Sequence, residues 1–405
     1  MVEWRTTTLE ECTDILGDGL HGTPKYTENG EYAFVNGNNL VDGEILIKKE
    51  TKRVDYSQYE KYKKPLTNRT ILVSINGTLG NVGVYGSEKI ILGKSACYFN
   101  VKESVDKDFI YYIVSSSTFK QYLESNATGT TIKNISLKQM REYTFELPEI
   151  GEQKRISSVL RKIDEKIKNN RAINKNLEEQ AQAIFKSWFV DFEPFGGIQP
   201  SEMQFIPLQE LCKVVTKGTT PTTLGKSFTS TGINFIKAES ILDNHSIDSS
   251  KFAFIDEETN ALLKRSVIKA NDIVFTIAGT LGRFAMVDNS VLPANTNQAV
   301  AIIRPDETKV TPAYLYSFFI GNWHNEYYSK RIQQAVQANL SLTTIKSLPI
   351  AVLKNTTMNN YEKLVSPLFA LMKNNEEENR RLSKLRDTLL PRLMSGELDV
   401  SNLDL

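Results

Sequence analysis

The residues of this chain that could carry out chemistry miss, one arrangement after another, the spacing that chemistry requires. Gly17-Asp18-Gly19-Leu20-His21-Gly22 spells GxGxxG, but Thr23-Pro24 follows where a dinucleotide fold would open a helix, so the run reads as a glycine-rich turn. Gly93-Lys94-Ser95 and Gly225-Lys226-Ser227 end like a phosphate-binding loop, yet the first glycine of that motif would fall at Glu88 and Thr220. Cys12, Cys97 and Cys212 stand far apart, as do His21, His245 and His324, which gives neither a disulfide framework nor metal-ligand spacing. The sequence also lacks an Asn-Pro-Pro-Tyr-like segment of an amino-methyltransferase and a His-Glu-x-x-His pair. A catalytically empty chain is expected, with no metal and no cofactor of its own.

What remains is a set of polar loop residues suited to binding. In the first half these are Lys25, Tyr26, Asn36, Asn38, Asn76, Thr130, Thr131 and Lys133. In the second they are Thr219, Thr220, Thr222, Lys237, Arg283, Gln334 and Gln337. Asn and Gln pair with adenine edges, Arg and Lys with guanine or phosphate, and Ser and Thr with either, so these types fit a nucleic-acid surface. Taken singly, each is as well explained as a solvated loop residue; their recurrence on two related halves makes the case.

The bulk composition places no nucleic-acid signature on the whole chain. Its 405 residues hold 49 Lys and Arg against 48 Asp and Glu, a net charge of +1, so a basic surface would have to be local. With 40% hydrophobic residues the chain can bury two or three cores. Its N-terminus, MVEWRTTTLEEC, has no apolar stretch of signal-peptide length, and no run of about 18 apolar residues occurs. A cytoplasmic location away from the membrane is expected.

The elements that would position the loops come in two copies. Residues 1–149 read as short strands and turns, with YAFVNGNNL, GEILIKK, TILVSINGTLGNVGVYG and ACYFNV as β-rich segments. One helical piece, DFIYYIVSSSTFKQYLES, follows them. LEECTDILGDG (9–19) aligns with LQELCKVVTKG (208–218), and SINGTLG (74–80) aligns with TIAGTLG (276–282). Two copies of about 200 residues indicate duplication and not a solenoid. The expected class is α+β: a β-rich globule over 1–149, a first long helix and linker start over 150–195, a second globule over 196–353, and a second long helix with a C-terminal tail over 354–405.

Both helices carry a heptad seam. Ile156, Leu160, Ile163, Ile167, Leu177, Ala181, Ile184 and Trp188 mark the first, a span of roughly 57 Å if it is one helix. A shift of 205 residues gives Tyr361, Val365, Leu368, Met372, Leu382, Leu389 and Leu393. Asn170 and Asn174 interrupt the first seam where Asn375 and Asn379 interrupt the second. An antiparallel pair closes the arrangement, with Ile156 opposite Leu393, Trp188 opposite Tyr361, Asn170 opposite Asn379 and Asn174 opposite Asn375, where buried amides satisfy each other and penalise slipped registers. Pro367 lies inside the second helix and predicts a late start or a kink. Phe185, Trp188, Phe189, Phe192 and Phe195 exceed what one seam buries, so part of this cluster must contact the globules or a partner.

The ordered set LPEIGEQKRISSVLRKIDEKI (147–167), IFKSWFVDFEPF (184–195), ANTNQAVAI (294–302) and RLSKLRDTLLPRLMSGELDV (381–400) resembles the specificity subunits of type I restriction-modification systems over essentially the whole chain. The segment before the second helix departs from the pattern, lacking the counterpart of Glu152-Gln153. The resemblance implies two target-recognition domains, each reading half of an asymmetric double-stranded DNA site, joined by two long helices as an antiparallel coiled coil. It further implies two methyltransferase (modification) subunits and restriction (helicase-nuclease) subunits as partners, with S-adenosylmethionine, ATP and Mg held there. The competing reading is a coiled-coil adaptor that joins two β-rich protein-binding domains.

Overall fold

The computed structural model describes residues 4–129, 132–321, 323 and 340–400, and the chain divides into two units, residues 1–170 with 377–405 and residues 171–376. In the first unit Thr13–Asp18 (β1), Thr70–Ser74 (β2), Val82–Val84 (β3) and Ala96–Val101 (β4) form an antiparallel sheet in the order β1-β4-β2-β3. Every residue of β2 and β4 is buried, because alternate side chains point to opposite faces and both faces are covered. Ile71, Val73, Cys97 and Phe99 enter one core. Leu72, Ala96 and Tyr98 enter another with Ala33, Val35 and Leu40. Tyr32–Val35 belongs to a smaller sheet, parallel to Ile90–Leu92 and antiparallel to Arg53–Val54.

The second unit repeats this plan. Cys212–Lys217 (β5), Ile273–Thr276 (β6), Phe284–Met286 (β7) and Val300–Pro305 (β8) pair in the order β5-β8-β6-β7. Ile273, Phe275, Ala301 and Ile303 face one core, while Val274, Val300 and Ile302 face the other. Ile233–Ile236 again runs parallel to one neighbour, Ala294–Thr296, and antiparallel to another, Ala253–Ile255. Even the bulge recurs, leaving Asp14 unpaired in β1 and Lys213 unpaired in β5.

Both long helices run for 40 residues, Ile150–Phe189 and Asn355–Met394, about 60 Å each. In the first unit Ile156 and Leu160 share a core with Leu390 and Leu393, Arg386 Nη1 donates to Asp164 Oδ1 at 2.9 Å, and Asn170 Nδ2 donates to Asn379 Oδ1 at 3.0 Å. In the second unit Asn375 Nδ2 donates to Asn174 Oδ1 at 2.7 Å, and the Trp188 ring meets Tyr361 at 5.7 Å. Partner numbers fall on one helix as they rise on the other, so the helices are antiparallel. All four asparagines are buried.

Two details differ from the sequence reading, and the aromatic cluster packs on its own globule, one of the two expected outcomes. The segment expected as one helix is two, Lys107–Ser115 and Ser117–Asn126, because the Ser116 hydroxyl caps both: it donates to Ile113 C=O at 2.7 Å and accepts from Phe119 N–H at 3.1 Å. The second long helix starts at Asn355 and continues through Pro367; Pro367 and Lys363 are exposed, so water can satisfy the Lys363 carbonyl that a proline leaves without a donor. Phe185 and Phe189 of the aromatic cluster are buried with Tyr314, Phe318 and Tyr361 of their own unit, and Trp188, Phe192 and Phe195 are partly buried against the same core.

Candidate nucleic-acid interface

Strand β2 ends at Ser74 in a rim of loops held together by backbone bonds. Leu20 N–H donates to Leu92 C=O at 2.7 Å, Gly93 N–H to Val35 C=O at 2.8 Å, Ile75 N–H to Ser95 C=O at 3.0 Å and Ile135 N–H to Ile75 C=O at 2.9 Å. Gly19 permits the first of these approaches, since a Cβ there would sit 2.3 Å from the carbonyl oxygens of Leu92 and Gly93. The GxGxxG run is thus a close-packed turn at the end of a strand, with no helix behind it.

On this rim Lys25, Asn38 and Lys133 are exposed, together with Thr78 and Lys94. Tyr26 is 40% exposed and meets Phe34 edge-on at 5.7 Å. Two amides are committed internally: Asn36 Oδ1 accepts from Ser95 Oγ at 2.9 Å, and Asn76 Nδ2 donates to Asn134 Oδ1 at 3.1 Å. Both side chains hold loops together before they could touch a ligand. Thr130 and Thr131 lie outside the described residues.

The second unit builds an equivalent rim. Ile277 N–H donates to Ala299 C=O at 2.8 Å and Leu340 N–H to Ile277 C=O at 2.9 Å, the counterparts of the bonds made by Ile75 and Ile135. Gly218 takes the place of Gly19, with a hypothetical Cβ only 1.8 Å from Thr296 O. Thr219 Oγ1 accepts from Arg265 Nη2 at 3.3 Å, Thr220 Oγ1 donates to Gln298 Oε1, and Thr222 is exposed. Lys237 pairs with Glu239 at 2.8 Å. Arg283 donates from Nε and Nη2 to the two carboxylate oxygens of Asp243 at 2.6 and 2.7 Å. Gln334 and Gln337 lie outside the described residues.

Sequence reasoning overlooked Ser95, Asp243 and Gln298 as members of these rims. Gln298 was within reach, since it sits in the polar run Asn295-Thr296-Asn297-Gln298 that leads into β8. Asp243 carried no signal, because its partner is 40 residues away.

The arrangement can bind but offers little for catalysis. Burial pushes the Cys212 thiol up to about 12 and raises those of Cys12 and Cys97, against thiolate chemistry. Among the described residues no three His, Cys, Asp or Glu side chains converge as a metal site, and no helix is long and apolar enough to cross a membrane.

Two rims of the same construction with different side chains are what a duplicated recognition module provides. Residues 1–179 and 200–383 match the family model for the type I restriction modification DNA specificity domain. The chain belongs to that family. It is a DNA specificity subunit with two recognition domains, and the adaptor reading is not favoured. Among its relatives, the type I restriction enzyme MjaIX specificity subunit of Methanocaldococcus jannaschii is 25% identical over 402 residues, covering 94% of this chain and 87% of that protein. The HindI specificity subunit of Haemophilus influenzae is 25% identical over 353 residues, covering 69% of this chain and 74% of that one. The crystal structure of a type I restriction-modification S subunit from M. genitalium has the same fold, with a TM-score of 0.54 at 20% identity over 97% of this chain and 96% of the other. The specificity subunit's helix pair fits an antiparallel coiled coil.

Proposed function

We propose that each globule reads one short block of a split, asymmetric duplex, and that the paired helices set the gap between the blocks while docking two methyltransferase subunits. Restriction subunits join that core in the cytoplasm. S-adenosylmethionine, ATP, Mg and all bond-making and bond-breaking belong to these partners. The residues assigned to the DNA-facing surface are Lys25, Tyr26, Asn36, Asn38, Asn76, Thr130, Thr131 and Lys133 in one globule. In the other they are Thr219, Thr220, Thr222, Lys237, Arg283, Gln334 and Gln337.

The observation that carries this reading is a conserved frame with exchanged contents. Rim loops held by equivalent backbone bonds present Asn76 in one unit and Ala278 in the other, Asn81 and Arg283, Asn36 and Lys237. Unlike side chains on like frames call for two different blocks, hence a non-palindromic target. Coexpression with a methyltransferase partner followed by methylome sequencing tests it. The expected result is methylation at a bipartite site with unlike blocks and a fixed gap, on an assembly of one specificity and two methyltransferase subunits by native mass spectrometry. A continuous or palindromic site, or no association with the methyltransferase, overturns it.

A further inference from the structure

We propose that Asp243 is a positioning residue for base reading, holding Arg283 so that its outer pair of N–H groups meets a guanine in the block read by the second globule; this rests on the rim being the DNA-facing surface. A guanidinium carries five N–H donors in a rigid fork. Nε and Nη2 give one each to Asp243 Oδ1 and Oδ2 at 2.6 and 2.7 Å, and Nη1 donates to Ile241 C=O at 3.4 Å. These bonds use three of the five donors and leave one N–H on Nη1 and one on Nη2, the two terminal nitrogens whose spacing matches the O6 and N7 of guanine.

Both ends of the clamp are anchored. Arg283 N–H donates to Thr276 Oγ1 at 2.9 Å, and Thr276 N–H donates to Arg283 C=O at 2.8 Å. Asp243 lies in a tight turn in which Leu242 N–H donates to Ser246 C=O at 3.0 Å and His245 takes a left-handed φ of 61°. The His245 ring stacks on fully buried Phe284, the residue after Arg283, at 4.1 Å. Its Nε2 lies 3.6 Å from Glu178 on the first long helix. A reading arginine held this way loses little rotamer freedom when it binds.

The Asp243 side chain is 81% exposed and that of Arg283 25%, so water screens the carboxylate side of the pair and limits what it adds to folding. At the equivalent position of the first unit, Asn81 donates its amide to Gly37 C=O at 3.3 Å, so that position supplies an amide and not an arginine.

The test is methylome sequencing of the coexpressed complex, followed by competition binding with duplexes changed one base pair at a time. Arg283→Ala and Arg283→Lys should lose a guanine preference at one position of one block. Asp243→Asn should lower that same preference on the order of tenfold, leaving every other position and the thermal midpoint in place. If Arg283→Ala relaxes a position and Asp243→Asn does not, the clamp has no part in reading and the proposal falls while the rim assignment stands. If Asp243→Asn weakens all sequences equally or lowers the midpoint, its role is structural and the proposal also falls. An unchanged target in Arg283→Ala removes Arg283 from the interface and takes the rim assignment at that loop with it.

Discussion

Asn375 donates its side-chain amide to Oδ1 of Asn174 at 2.7 Å inside the helix pair. Asn174 passes the chain on, giving its own amide to Met372 C=O at 3.2 Å and Glu376 Oε1 at 3.1 Å. Replacing Asn174 by Ala strands a buried donor on Asn375, so the variant should lose about 1–3 kcal/mol. The double variant Asn174→Leu/Asn375→Leu restores apolar seam positions and should regain part or all of that loss while relaxing the register. Denaturant unfolding in a double-mutant cycle checks this, and additive single losses would show that the two amides do not depend on each other.

How far the sequence disclosed this molecule depended on the range of each interaction. The duplication and the seams are periodic and local, so Ile156, Leu160, Tyr361 and Val365 could be picked out by spacing alone, and all four are buried. The helix break at Ser116 was hidden because one hydroxyl serves two helix ends, which residue propensity does not encode. At the rim, residue types suggested binding, but whether a side chain is available is decided by distant partners. Asn36 answers to Ser95, and Arg283 to Asp243. Neither bond leaves a periodic trace.

The close approach at Gly218 should be intolerant of any side chain. A Cβ would press on the carbonyl oxygen of Thr296 at 1.8 Å and on that of Asn297 at 2.7 Å, so backbone must move. Gly218→Ala should cost about 1–3 kcal/mol and degrade recognition of one target block while the other is read normally. Methylome sequencing separates these effects, and a variant that reads both blocks normally would show that the rim absorbs the displacement.

Asp272 is fully buried, and Arg304 Nε and Nη2 donate to its two oxygens at 2.7 Å each. Arg304 Nη2 also donates to Val267 C=O at 3.0 Å, tying the strand to the loop ahead of β6. Arg304→Met leaves a carboxylate in the interior and should destabilise by about 3–5 kcal/mol, whereas Arg304→Met combined with Asp272→Leu should recover much of it. Unfolding midpoints of the three proteins test this; equal losses in single and double variants would mean the arginine acts through packing alone.

Burial lowers the pKa of His245, against a smaller opposing effect from the Phe284 backbone. Burial also raises that of Glu178 beside it. A base whose folded value is depressed is protonated first in the unfolded chain, so its stability is full above about pH 6.5 and is lost as pH falls through that value. Glu178 acts in the opposite sense, favouring the folded state on protonation. In a Glu178→Gln background, therefore, moving from pH 7.5 to 5.5 should destabilise the protein with His245 more than the His245→Phe variant, which keeps a ring against Phe284. Parallel losses in the two would place the acid sensitivity elsewhere.

The two asparagine bridges lie on opposite sides of the division between the units: Asn170 and Asn379 fall in one, Asn174 and Asn375 in the other. Four residues inserted after Arg171 and four after Glu376 would therefore leave each bridge inside its own unit. Four residues turn a helix by about 400°, returning each seam to within about 40° of its phase, and lengthen it by about 6 Å. If the helices set the gap, the double insertion should lengthen it by about one or two base pairs, at about 3.4 Å per pair, without changing either block. Methylome sequencing of the coexpressed variant reads this directly, with circular dichroism as the check that both helices still form. A folded variant that methylates the original gap would show that the helices are not the ruler, and altered blocks at the original gap would place part of recognition in the helices themselves.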